Sequence, residues 1–529
     1  MPSSESKKTS VIALSVFSSR LSAVCDEMGA RLRQAALSPN IKDRLDYSCA
    51  VFDGRGQLCS QAAHIPVHLG SMAYAMQDLA QAVAWQEGDV LVVNDPFLGG
   101  THLPDVTFIA PVFIDKILQG FVANRAHHVN IGADESGSMP IATSLAEEGV
   151  VIAPTLIQKQ GQLHQPTLRL LCGQGNSIVA LSGQASGDFL AQLSTCSLGV
   201  KRLEALIRSY GEVGYAALLA SLFLYAERLA LNVWQSIPNG RYQYGDIMDD
   251  DGAGQRNIAI RVSLDIRDGR VAANFAGTAA QVPGNINCPL SVAAAAVYYV
   301  FRCLLPSYTP SCAGTFRPLT LSAPVGSLVN ARRPAAVAAG NVETSSRIVD
   351  VVMGALAKAL PERMPASSQG TMNNLAMGAK ASESQVRWDY YETLGGGGGA
   401  GPAGRGASGR QTHMTNTLNT PIESLESHYP LRVKRYALRC GSGGQGAHSG
   451  GDGVVRAFEF LAPARVSLLT ERRYAGAPGL EGGLSGQTGE NHLNNLLLPP
   501  KTSFDVAKGD ILTIATPGGG GWRSPPQKA

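Results

Sequence analysis

Apolar residues at positions 14, 17, 21, 24, 28 and 32 recur every three to four residues, which predicts an amphipathic helix over 11–36 with one face packed on something larger. The pattern then changes to strands. Positions 46–53 read as a strand turned at Gly54-Arg55-Gly56, and 89–93 as a short apolar strand running into the loop Asn94-Asp95-Pro96-Phe97-Leu98-Gly99-Gly100. Two further strands, 106–113 and about 120–128, lie close enough in sequence to form a hairpin. Positions 203–234 are helical, interrupted at Gly211-Glu212-Val213-Gly214 and stopped by Pro238-Asn239-Gly240. Next, Ile258, Ile260, Val262, Leu264 and Ile266 alternate with other residues. Asp268-Gly269 supplies a hairpin turn, and Val271, Ala273 and Phe275 resume the alternation. Positions 291–305 and 345–360 read as buried helices, and 454–460, 466–470 and 510–515 as strands between Gly-rich turns. The expected fold is α+β, mixed and multi-layered, with a β-rich C-terminal part and no internal repeat.

A chain of 529 residues calls for two or three packed cores. The run 395–409 holds five consecutive glycines and no residue able to anchor a core, so it is taken as a boundary. The expected division is 1–255, an N-terminal α+β domain; 256–394, a central hairpin with helices; and 395–529, a Gly-rich and β-rich part. A net charge of +3, without Lys/Arg runs interleaved with aromatics, argues against nucleic acid as a partner. Nine scattered cysteines, odd in number and without a CxxC pair, point to reduced thiols and a cytoplasmic setting. The apolar stretch 11–17 is too short for a signal peptide and is followed by Arg20, and 292–301 is too short to span a bilayer, so no membrane segment is expected.

The hairpin carries the chemistry. A turn centred on Asp115-Lys116 sets His127 opposite position 104, between His102 and Asp105. Two imidazoles and a carboxylate suit zinc, manganese or iron(II), and three ligands leave positions open for water or substrate. The competing reading makes these ordinary hydrogen-bonded residues at a sheet edge. His127 and His128 point to opposite faces of a strand, and His127 is taken as the ligand. His64 and His68 form a rival pair, but Pro66 between them argues against a helix, which leaves them a supporting role on one strand face. Asp46 enters an apolar strand as a carboxylate; it is a fourth ligand, a general base, or a salt-bridge partner of Arg44 or Lys42. Cys49 has no base nearby in sequence and reads as an inert buried thiol. Asp249-Asp250-Asp251-Gly252 lacks EF-hand spacing and reads as an exposed turn. The glycine tracts at 395–399, 441–446 and 518–521 are not followed by the Lys-Ser/Thr of a P-loop, so any ATP used should sit on another chain.

The order of these segments resembles the hydantoinase B/oxoprolinase family over nearly the whole chain. The resemblance rests on Asp46-Tyr47-Ser48-Cys49-Ala50, His64-Ile65-Pro66-Val67-His68-Leu69-Gly70, Asn94-Asp95-Pro96, Gly99-Gly100-Thr101-His102-Leu103-Pro104-Asp105 and Arg125-Ala126-His127-His128. Gly284-Asn285-Ile286-Asn287, Asn341-Val342-Glu343 and Glu423-Ser424-Leu425-Glu426 extend it. It implies a metal held by His102, Asp105 and His127, with Asp46 the next candidate and a base for catalysis. It further implies a hetero-oligomer with a hydantoinase A-like subunit that uses ATP and magnesium to phosphorylate the amide of an oxoproline, hydantoin or lactam ring, which this chain then opens. A ketone carboxylase subunit of the acetone type, or a non-catalytic scaffold for the ATP-using subunit, are the alternatives. Asn130 stands where the family usually has Asp, and 132–138 departs from the usual Gly-Gly-x-x-Pro-Gly-Ser. Asp134 or Glu135 is expected to restore the lost charge.

Overall fold

The first apolar stripe forms α1 (Val11–Ala35), which buries Leu14, Phe17, Leu21, Val24, Met28 and Leu32 along one side. The computed structural model describes residues 11–63, 65–133, 135–172, 183–380 and 387–525. After the short α2 (Pro39–Lys42) the chain builds a seven-stranded antiparallel sheet from β1 (Tyr47–Asp53), β2 (Leu58–Ala63), β3 (Val90–Val93), β4 (Asp105–Ile114), β5 (Ile117–His127), β6 (Thr155–Lys159) and β7 (Gln162–Leu163). Its order is β2-β1-β5-β4-β3-β6-β7. Helix α3 (Pro66–Ala82) covers one face. The other carries α1 and α5 (Gly183–Tyr210), with α4 (Gln165–Cys172) and α6 (Glu212–Trp234) beside them.

Side chains alternate across a strand, so the two faces sort by position. Cys49, Val51, Val106, Phe108, Val122 and Ala126 join α1 and α5, whereas Ala50, Phe52, Ile109, Phe121 and Ala123 meet Met72, Met76 and Leu79 of α3. The break between α5 and α6 falls at Gly211, whose φ of 67° no helix accommodates. Helix α6 is long and apolar enough to cross a membrane by length and composition, a feature the sequence reading passed over. Its Leu219, Phe223 and Ala226 are nonetheless buried against the core of the first sheet.

A second sheet, ordered β11-β10-β9-β8, comprises β8 (Gly240–Asp250), β9 (Arg256–Arg267), β10 (Arg270–Asn274) and β11 (Leu319–Ser322). The predicted alternation holds, with Ile258, Ile260, Val262, Leu264 and Ile266 all in one core together with residues of α7 (Leu290–Cys303) and α9 (Ser345–Ala357); the short α8 (Ala313–Phe316) lies between these helices in sequence. Helix α7 also packs on α3 and so joins this layer to the first. Asp249-Asp250-Asp251 is buried rather than an exposed turn. Backbone N–H groups of Ala253, Gln255 and Gly284 donate to Asp251, that of Arg473 donates to Asp249, and Lys501 pairs with Asp250 at 3.6 Å, which meets the cost of burying three carboxylates.

The C-terminal part is β-rich, as expected. One sheet, β13-β12-β16-β19, joins β12 (Asn374–Ala379) and β13 (Trp388–Glu392) to strands from beyond the glycine run. The other is β14-β15-β20-β17-β18. The elements after that run are α10 (Ile422–His428), β14 (Leu431–Arg439), β15 (Gly453–Phe460), β16 (Ala464–Leu469), β17 (Glu490–Leu493), β18 (Leu496–Leu497), β19 (Lys501–Val506) and β20 (Ile511–Ala515). Of the glycines at 395–399, Gly395 to Gly398 are buried and Gly399 is half-buried, and their backbone lies directly against other glycine backbones: Gly451 N donates to Gly398 O, Gly519 N to Gly451 O and Gly444 N to Gly519 O. A Cβ on Gly397 would fall 2.0 Å from Gly451 O and one on Gly519 2.0 Å from Gly398 O, so no other residue fits.

Candidate metal centre

The β4–β5 hairpin turns at Asp115 and Lys116, both with positive φ, as a two-residue turn requires. Near the turn the register is the predicted one, Ile114 opposite Ile117 and Phe113 opposite Leu118. Val112 then pairs with Gly120, leaving Gln119 as a bulge. That one-residue slip carries His127 directly opposite Asp105 rather than position 104. Both side chains lie on the α3 face. His128 turns to the other face, where Nε2 meets Gln192 Oε1 at 2.8 Å and the ring stacks on Phe189 of α5.

His102 arrives from the loop before β4. One nitrogen or carboxylate oxygen from each of His102, Asp105 and His127 lies within 4.8 Å of the others, and all three residues are buried. Oδ1 of Asp105 is 3.3 Å from His102 Nε2 and 3.5 Å from His127 Nδ1. Its other oxygen is fully engaged: Thr101 Oγ1 donates at 2.5 Å, Asn341 Nδ2 at 3.5 Å, and His68 Nε2 lies at 3.2 Å. Burial raises the pKa of Asp105, but the charges of His102 and His68 and the hydrogen bonds from His102 and His127 outweigh it, so this carboxyl is held well below the usual range. Burial also lowers His127, which favours the neutral imidazole a metal needs.

Two features fit these residues to a cation. His102 Nδ1 donates to the carbonyl of Ala338 at 3.2 Å, so in the neutral ring, as distinct from the protonated ring that lowers Asp105, Nε2 turns a bare lone pair toward the carboxylate. Two electron-rich atoms 3.3 Å apart repel unless something positive sits between or beside them. His127 likewise keeps a buried nitrogen, Nε2, without a partner. Asp46, just before β1, adds a second carboxylate 4.0 Å from His127 Nδ1, and its carbonyl accepts the His127 N–H at 3.1 Å. Two imidazoles and one or two carboxylates could hold a divalent first-row metal.

His68 stands beside the cluster, on a helix rather than a strand. Pro66 does not prevent that helix; it occupies the first turn, where its missing N–H is no loss. From α3, His68 bridges Ser48 Oγ (3.0 Å) and Asp105. His64 lies outside the described residues. Cys49 is fully buried, and burial raises its thiol pKa far from the reactive range. Asn130 lies away from the cluster, with its Nδ2 on Asp389, and Glu135 is bound by Ser503 and Arg465, so Glu135 restores no charge at the site. Asp134 is outside the described residues. Sequence reasoning missed Tyr391, whose ring stacks on His127 with centroids 4.9 Å apart and planes at 7°. Nothing in the sequence marks a tyrosine 264 positions away as its neighbour.

Residues 10–525 match the family model described as Hydantoinase B/oxoprolinase. The chain belongs to the hydantoinase B/oxoprolinase family. Within it, 5-oxoprolinase 1 of Arabidopsis thaliana is 38% identical over 97% of this chain, which spans only 42% of that protein. The B component of a putative D-/L-hydantoinase from Pseudomonas sp. (strain NS671) is 29% identical, covering 98% of this chain and 91% of its own length. The crystal structure of an ATP-dependent caprolactamase from Pseudomonas jessenii superposes with a TM-score of 0.90 at 26% identity, over 98% of this chain and 92% of that one.

Proposed function

We propose that this chain is the metal-binding subunit of a two-component, ATP-dependent amidohydrolase that opens an oxoproline, hydantoin or lactam ring after a partner has phosphorylated its amide oxygen. The observation that carries the reading is the convergence of His102, Asp105 and His127 within 4.8 Å, in a family whose members bear the names oxoprolinase, hydantoinase and caprolactamase. His102, Asp105 and His127 would hold zinc, manganese or iron(II), with Asp46 beside them. Such a cation polarises a carbonyl-type oxygen and acidifies water.

The residues supply the rest. Thr101, His68 and Asn341 fix Asp105, and Ala338 fixes His102, so the ligands are oriented in advance. Asp46 lines the small cavity beside His68 and His127 and is placed to take the proton of an attacking water. Phosphorylation of the amide oxygen makes the ring carbon electrophilic: one water adds there, the ring nitrogen takes up a proton and departs with the C–N electron pair to leave an open-chain acyl phosphate, and a second water cleaves that to phosphate and the free amino acid. ATP itself belongs to the partner, because no glycine tract here has P-loop form. The hydantoinase relative is named as one component of its enzyme, which supports a hetero-oligomer, and the eight cysteines that are free thiols among the described residues support a cytoplasmic setting.

The test is to purify the chain with its ATP-using neighbour, measure bound metals, and follow ATP use with oxoproline, hydantoins, lactams, and acetone plus bicarbonate. Ring opening with equimolar phosphate release and a first-row metal is expected. Bicarbonate-dependent ATP use with the ketone would replace hydrolysis by carboxylation, and full activity in metal-free protein would leave only a scaffold.

A further inference from the structure

The hydrogen bonds that fix His102 do not end at Ala338. While the carbonyl of Ala338 accepts from His102 Nδ1, the N–H groups of Ala338 and Val337 both donate to one oxygen of Glu148, each at 2.7 Å. Glu148 is wholly buried, its other oxygen has no partner, and among the described residues no Lys, Arg or His forms an ion pair with it. Burial pushes its carboxyl up to about 8. A buried acid without a counter-charge is an expensive way to satisfy two amides, which a backbone carbonyl could serve. The segment is also gripped elsewhere: Asn287 Nδ2 donates to Ala336 O, and the N–H groups of Ala339 and Gly340 donate to Asn285 O. Glu148 therefore holds the two peptide units just before the one whose carbonyl sets the ring of His102, while Asn285 O holds that unit through Ala339 N.

We infer that Glu148 is a positioning residue of the metal centre: by fixing the backbone on the N-terminal side of Ala338 it aims the Ala338 carbonyl and so holds His102 in the tautomer and orientation that present Nε2 to the cation. The inference rests on the metal-centre reading. Groups that hydrogen-bond the free ring nitrogen of a ligating histidine act in this way, and their loss weakens metal binding by roughly 10- to 100-fold. Here the acid stands one peptide further out.

The experiment is an equilibrium competition for Co2+ and Zn2+ between the full chain and a chelating dye, together with the visible Co2+ spectrum and far-UV circular dichroism. Glu148→Leu is expected to stay folded, bind roughly 10-fold or more weakly, and show an altered Co2+ spectrum. Glu148→Gln keeps an acceptor oxygen and is expected to stay within about threefold of wild type. A purely structural role would lower the melting temperature while leaving the affinity and spectrum of the folded protein unchanged, and that result in Glu148→Leu overturns the inference. Equal loss in the Gln and Leu variants overturns it too, because it would assign the effect to charge alone. Should Glu148→Leu fail to fold, Glu148→Asp withdraws the carboxylate by one methylene and is read in the same way. Wild-type protein that binds neither metal would sink the metal centre itself, a different and recognisable failure.

Discussion

His127 and His128 are neighbours in sequence, yet one ring faces Asp105 and the other Gln192, as strand alternation requires. On that geometry, His102→Ala and His127→Ala should each lose bound metal and ring opening while keeping the wild-type circular dichroism; metal retained at full stoichiometry in both would remove them from the ligand set. Asp46 sits further out, so Asp46→Asn should keep the metal and lose about 10²- to 10⁴-fold in kcat. Loss of metal in that variant would make Asp46 a fourth ligand instead. The His102, Asp105 and His127 cluster was legible because its members lie on one hairpin or in the loop just before it. Its supports were not: Asn341, Ala338 and Tyr391 come from more than 200 positions away, and only long-range packing brings them in. Glu343 yields a further prediction. Burial lifts its pKa from 4.5 to about 7, while Met372 N and Asn374 Nδ2 donate to it. The native state thus keeps a proton that the unfolded chain releases. Its contribution to stability is complete below pH 4.5 and is lost as pH rises through about 7. The loss is on the order of 3 kcal/mol. Denaturation midpoints measured from pH 5 to 8 should fall in wild type and flatten in Glu343→Gln; parallel profiles would show that Glu343 does not titrate in this range.

Among the elements, those with a strong repeating pattern emerged where the sequence placed them. Helix α1, the β9–β10 hairpin and the break at Gly211 need only local chemistry: an apolar stripe, strict alternation, and a glycine at positive φ. The misses share a different cause. The bulge at Gln119 moves His127 by one position, and no residue type announces it. The glycine run at 395–399, taken in the sequence as a boundary unable to anchor a core, carries no side chains, and that absence is what lets its backbone pack face to face with other glycine backbones. Gly399→Ala would place a Cβ 1.8 Å from Ala366 O, whereas Gly401→Ala meets only Pro365, at an ordinary 3.5 Å. We expect Gly399→Ala to cost about 3 kcal/mol or more and Gly401→Ala less than about 1. Similar unfolding midpoints for the two would refute the backbone-packed account of this region.

For the whole molecule, the cavity beside the His102, Asp105 and His127 cluster sets the limit on what the chain does alone. It holds about 20 Å³ between Asp46, His68, Asp105, His127, Asn341 and Tyr391, closed on one side by Met414, Thr415 and Thr417. That is room for a single water and not for a five- to seven-membered ring. The segment bearing Met414 forms no helix or strand and is tied to the first sheet region by Val67 N on Met414 O, Leu418 N on Arg44 O and the Arg44 side chain on Leu418 O and Thr417. The 5-oxoprolinase relative carries more than half its length beyond the part this chain matches. The isolated chain should therefore open no oxoproline, hydantoin or lactam, with or without ATP, and adding the ATP-using subunit should produce ring opening matched by phosphate release. In that complex His102→Ala should separate the two steps: ATP is still cleaved on the partner and ADP appears, while the matching phosphate and the open-chain amino acid do not. Ring opening by the isolated chain at the rate of the complex, or by the His102→Ala complex at the wild-type rate, would place the hydrolytic step somewhere other than this cluster.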